Sequence, residues 1–182
     1  MQPQLALYVA GWQALSFGLL LMAITTVTAF FSHTNFDGAI DVHFNPNFPF
    51  WFHVFEQLNA WLSTVIVFFI IGILLSKSNI RLIDVAGTLA LARAPMLFAA
   101  LIGFVPALHQ LPTPDHLFAI AVWGLLAAIV SIWTIALMYN AFIISCNLKS
   151  NKAIVGFIIS IVLAEIVSKI SIYQFYHHLI SK

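Results

Sequence analysis

"VAGTLALARAPMLFAALIGFV", residues 85 to 105, is long enough and apolar enough to cross a bilayer, yet it carries Arg93 two residues before Pro95. A hydrocarbon core takes about 20 apolar residues to cross as a helix. A lone arginine near its centre costs about 3 kcal/mol on insertion scales. The stretch is therefore expected to be one rod of a bundle whose interior supplies a partner for the guanidinium.

The rest of the chain agrees with that expectation. Of 182 residues, 62% are hydrophobic and 7% are charged, against roughly 25% charged in soluble domains. On the 20-residue ruler five spans are predicted, at about 5–31, 51–75, 85–105, 118–146 and 154–173, with nothing left over for a soluble domain. The predicted fold is all-α, an integral membrane bundle of five transmembrane helices forming one domain over residues 1–182. The formal net charge of +1 gives no reason to expect nucleic acid as a partner. Cys146 is the single cysteine, so neither an internal disulfide nor a cysteine-based zinc site can form.

Lys and Arg in short loops mark the cytoplasmic side. Lys77 and Arg81 lie between the second and third spans, and Lys149 and Lys152 between the fourth and fifth. In a five-span chain both loops fall on one side. The N-terminus is thus expected inside and the C-terminus outside, in the cell (inner) membrane of a prokaryote. The outer loops, 32–50 and 106–117, hold Asp37, Asp41 and Asp115 and no Lys or Arg.

Four ionisable residues fall within the spans: Glu56, Arg93, Glu165 and Lys169. Two acids and two bases are the numbers needed for mutual neutralisation. A rise of about 1.5 Å per residue puts Arg93 about 12 Å and Glu165 about 16 Å from the inner surface, with Lys169 near 22 Å and Glu56 at a similar level. Two layers are predicted, Arg93 with Glu165 and Glu56 with Lys169. Glu165 and Lys169 also stand four apart on one helix face, in the favourable order. Pro95 is expected to kink the third span and to free the Leu91 carbonyl one turn earlier, with Asn59 and Asn140 as candidate partners for it. Such a strip serves either as a register-fixing charge network or as the polar lining of a proton, ion or ligand path.

All seven histidines, His33, His43, His53, His109, His116, His177 and His178, fall on or near the outer side. Imidazole with carboxylate suits zinc and similar divalent ions, so His33, His43, His53, His109 and His116 with Asp115 form a candidate metal set. His53 and Glu56 share a helix face at a spacing of three. No zinc-ligand spacing such as HExxH occurs, so no cofactor is required by the sequence. The segment "HFNPNFPFWFH", residues 43–53, with two prolines and five aromatic rings, is expected to anchor the second span at the interface.

Phosphate-loop, nucleophile-elbow and HExxH motifs are all missing, so no catalytic residues are predicted. Five spans also do not divide into two equal inverted halves as in many transporters.

The five-span plan, the third span entered as "IDVAGTLALARAP" and the inner loop "LKSNKAIVGF" together resemble the YIP-domain family (Ypt/Rab-interacting proteins), in a prokaryotic form. The resemblance covers most of the chain. It implies a non-catalytic integral membrane protein acting in membrane organisation or trafficking-like interaction, with itself or another membrane protein as partner beside the lipid bilayer. Eukaryotic relatives associate with small GTPases. Their long cytosolic N-terminal segment and Asp-Leu-Tyr-Gly-Pro-like signature are not seen here, and GTPase binding is not carried over. The alternative expectation is a small transporter or channel built on Glu56, Arg93, Glu165 and Lys169.

Overall fold

The structure, a computed structural model, describes residues 11–44, 48–110 and 113–179, without the side chains of residues 114, 115, 178 and 179. It is an all-α bundle. Helices α1 (Trp12–Phe31), α2 (Phe50–Leu75), α5 (Pro114–Ser145) and α6 (Ser150–Leu179) are continuous. The third span is divided into α3 (Leu82–Ala92) and α4 (Met96–Ile102). Among the described residues, five helical stretches are long and apolar enough to cross a membrane: Trp12–Phe31, Phe50–Leu75, Leu82–Ile102, His116–Ser145 and Ser150–His177.

In lipid, helices associate through close packing and internal hydrogen bonds, so small residues mark the crossings. Helix α1 packs along α3, and α2 along α6. At the α1–α3 crossing a Cβ on Gly18 would lie 2.5 Å from the Ala90 Cβ, and one on Gly87 would lie 2.8 Å from the Gly11 carbonyl oxygen. Neither position has room for a side chain. Thr25 and Thr26, both buried, turn their hydroxyls onto the Leu21 and Met22 carbonyls of the same helix, which satisfies them without a partner helix. Toward the basic end, Phe68 meets Phe142 and Phe157 edge-on at 5.2 and 5.8 Å between ring centroids.

The two basic loops lie together, because Asn147 Nδ2 donates to Ser78 Oγ at 2.8 Å. Lys77, Arg81, Lys149 and Lys152 are exposed there.

The break in the third span lies at Arg93, Ala94 and Pro95. Pro95 has no N–H to continue the ladder, and the chain tightens into three-residue turns. Ala94 N–H donates to the Leu91 carbonyl at 2.9 Å, and Met96 N–H to the Arg93 carbonyl at 2.9 Å. The carbonyl freed by the proline is thus taken by its own backbone. Asn59 is engaged elsewhere, its Nδ2 donating to Ser168 O at 2.9 Å to tie α2 to α6, and Asn140 is exposed.

The largest departure from the sequence-based expectation concerns the segment between α1 and α2. Instead of an aqueous loop it forms a short hairpin, β1 (Thr34–Asn35) against β2 (His43–Phe44), antiparallel, with Thr34 opposite Phe44 and Asn35 opposite His43. Ser32, Thr34, Asn35, Phe36 and Ala39 are all at most 3% exposed. The hairpin is folded into the end of the bundle, among the helices.

Candidate functional site

Backbone that enters a bundle without helical structure must find its hydrogen-bond partners inside the protein. Here those partners are the charged and polar side chains of the spans. Arg93, at the helix break, is 1% exposed. It donates from Nη1 to the Ala39 carbonyl at 2.8 Å and from Nη2 to Gln57 Oε1 at 3.2 Å. From the opposite side, Glu165 Oε2 accepts the Ile40 N–H at 3.2 Å.

The Ala39 carbonyl and the Ile40 N–H belong to one peptide group. Its oxygen faces the cation and its hydrogen faces the anion, which is the favourable orientation of the amide dipole. Bond lengths and the two hydrogen bonds keep guanidinium and carboxylate no more than about 8 Å apart. At an effective dielectric of about 20, charges at that range attract by about 2 kcal/mol. Arg93 and Glu165 are thus coupled through an amide rather than by direct contact.

The same logic extends along the hairpin. Glu56 hydrogen-bonds to the backbone of Phe36, and His53 to that of Thr34. His53 Nδ1 lies 3.9 Å from Glu56 Oε2, with both side chains 2% exposed. The clamping residues therefore come from α2, from the break between α3 and α4, and from α6. Glycines give the hairpin room: a Cβ on Gly38 would collide with the Glu165 carboxylate, and one on Gly103 with the Thr34 hydroxyl.

Lys169 forms ion pairs with Asp41 and, at 3.5 Å, with Glu165 Oε1. The expected pair of Glu165 and Lys169 on one helix face is present. The expected layers are not formed as direct pairs: Glu56 has His53 and the Phe36 backbone, and Lys169 has Asp41 and Glu165. The physical reason is that helix depth was reckoned as though only helices entered the membrane. The inserted hairpin stands between the charges.

Beside the hairpin is a cavity of about 490 Å³. Asn35, Asp37, His43, Glu56 and Lys169 form its polar wall, with Phe52 and Tyr173 on its apolar side. Two of the four predicted intramembrane charges, Glu56 and Lys169, border it; Arg93 does not. Asn35 Oδ1 and Nδ2, Asp37 Oδ1 and Glu56 Oε2 are buried atoms without a hydrogen-bond partner.

The candidate metal set is dispersed. His33 and His109 rings lie 6.1 Å apart, and His109 Nε2 donates to the Gly103 carbonyl at 2.6 Å. His53 is committed to the clamp, and the Asp115 and His178 side chains lie outside the described residues. Among the described residues, His33, His53, His109 and His116 join no group of three that could share an ion. His43 does, with Asp37 and Asp41. Asn35 and Gln57 escaped the sequence reading altogether. No protein-family model matches this chain, and neither a curated protein nor a solved structure shows a detectable match to it.

Proposed function

We propose that this protein is a non-catalytic integral membrane protein of the YIP type that acts through association, with itself or with another membrane protein, in membrane organisation. Its N-terminus lies in the cytoplasm and its C-terminus outside, in the cell membrane of a prokaryote. The observation that carries the proposal is the state of Arg93. At 1% exposure, held by the Ala39 carbonyl and Gln57, it is a structural anchor for the hairpin and not the wall of a path. The exposed basic loops at one end and Asp37, Asp41 and His43 at the other support the orientation. The fourth span is the least covered by the rest of the chain and leaves an apolar face open to lipid or to a partner helix.

The second reading, a small transporter, is favoured by one specific feature, the cavity that reaches Glu56 and Lys169. The two readings differ in whether water passes beyond that cavity to Arg93. In vesicles of the Cys146→Ala chain, a cysteine placed at Tyr173 should react with an impermeant maleimide added outside. One placed at Ala92, beside Arg93 and 4% exposed, should stay unlabelled from both sides. Labelling at Ala92 would replace the association model with a conduit.

A further inference from the structure

The hairpin gathers ligand atoms that the clamp does not use. Asp37, Asp41 and His43 each offer one, all within 4.8 Å of one another. Donors that each lie about 2.0–2.2 Å from a shared ion stand at most about 4.4 Å apart, so the group closes on an ion with side-chain shifts of a few tenths of an ångström. Asp37 Oδ1 is 3.1 Å from His43 Nε2, an ion-pair distance, yet makes no aligned hydrogen bond with it, so neither atom is committed to the other as donor and acceptor.

A second, independent observation comes from the strand opposite. Asn35 pairs with His43 across the ladder, so their side chains are neighbours. It is 3% exposed, both of its amide atoms lack a partner, and it shares the cavity wall with Asp37 and His43. Glu56, 1% exposed and beside His53, lines the same wall. Buried polar atoms are normally satisfied, and here Asn35 and Asp37 each leave an oxygen without a hydrogen bond while lining one cavity with His43.

We propose that Asp37, Asp41 and His43, with Asn35 beside them, bind a divalent first-row transition ion, and that the Lys169 ammonium competes with that ion for Asp41. One imidazole among oxygen donors suits manganese or zinc, whereas magnesium prefers an all-oxygen shell that retains several waters. Lys169 is ion-paired with Asp41 and is already 3.5 Å from Glu165 one turn away. When the metal takes Asp41, the ammonium keeps Glu165 as its counter-charge. The exchange is therefore a short movement of one side chain, and it ties metal binding to the carboxylate that holds the Ile40 N–H.

The test uses the full chain in detergent without a polyhistidine tag, titrated with Mn²⁺ and followed by loss of the free-ion electron paramagnetic resonance signal. One Mn²⁺ per chain is expected, displaced by Zn²⁺ and not by equimolar Mg²⁺. His43→Ala and Asp37→Asn should each weaken binding about tenfold or more. Lys169→Gln should tighten it about fivefold, a modest factor because the ammonium is half exposed and screened. His43 is itself exposed, so its replacement decides the matter even if Asp37→Asn proves unstable in a thermal melt. Absence of Mn²⁺ and Zn²⁺ binding at millimolar concentration would overturn the site, as would binding that survives His43→Ala. Unchanged or weaker binding in Lys169→Gln would overturn the competition.

Discussion

The two ends of the bundle solve the same problem, turning the chain between spans, in opposite ways. At the end carrying Lys77, Arg81, Lys149 and Lys152 the loops are short and polar, joined by the hydrogen bond from Asn147 to Ser78. Their peptide groups can be left to water. At the other end residues 32–44 fold back as a hairpin whose first strand is buried. Its peptide groups have Arg93, Glu165, Glu56 and His53 as partners. The contrast teaches that ionisable residues inside this membrane protein follow inserted backbone. They are placed where amides need donors and acceptors, and their own neutralisation is arranged through those amides.

Breaking the clamped end should therefore cost far more than breaking the open one. Arg93→Met leaves the Ala39 carbonyl without its donor and Glu165 without its distant counter-charge. The expected loss is about 3–5 kcal/mol, the usual result of removing one member of a buried charged set, read as equilibrium unfolding in detergent. Glu165→Gln keeps an acceptor but loses the charge and should cost less. The double variant should be less destabilised than the sum of the single changes by about 0.5–2 kcal/mol, because both act on one peptide group. Strict additivity would mean that the Ala39–Ile40 amide transmits nothing.

A smaller effect should come from steric change at the same end. Gly103→Ala puts a methyl against the Thr34 hydroxyl, which is fully buried. Overpacking of this kind costs about 1–3 kcal/mol, and limited proteolysis of the hairpin should rise with it. The least effect belongs to the open end. Asn147→Ala removes an exposed hydrogen bond and should shift stability by no more than about 0.5 kcal/mol. A loss there as large as that of Gly103→Ala would abolish the distinction between the two ends.

Span positions were legible because hydropathy over some 20 residues is a strong signal, and the expected 51–75 and 85–105 coincide closely with Phe50–Leu75 and Leu82–Ile102. The division of the third span was legible from Pro95, although not the self-satisfaction of the Leu91 carbonyl. The hairpin was not legible. Its residues mix Asn, Asp and His with Phe, Ile and Val, without the period-two alternation of a half-exposed strand, because its partners lie on all sides. Arg93 and Glu165 were expected as a direct pair, but depth along two helices says nothing about a third element between them. Asn35 and Gln57 are uncharged, and an uncharged amide in a long sequence announces neither burial nor a role.

The reach of the clamp along the chain has a consequence for biogenesis. Ile40 and Asp41 are held by Glu165 and Lys169, 125 and 128 residues later. A ribosome delivers the hairpin early, its partners on α2 and at the Arg93 break next, and Glu165 and Lys169 only with α6. The turn between α1 and α2 is thus fully held only once α6 is in place. Until then Arg93 has the Ala39 carbonyl and Gln57 as partners and no acidic counterpart from α6.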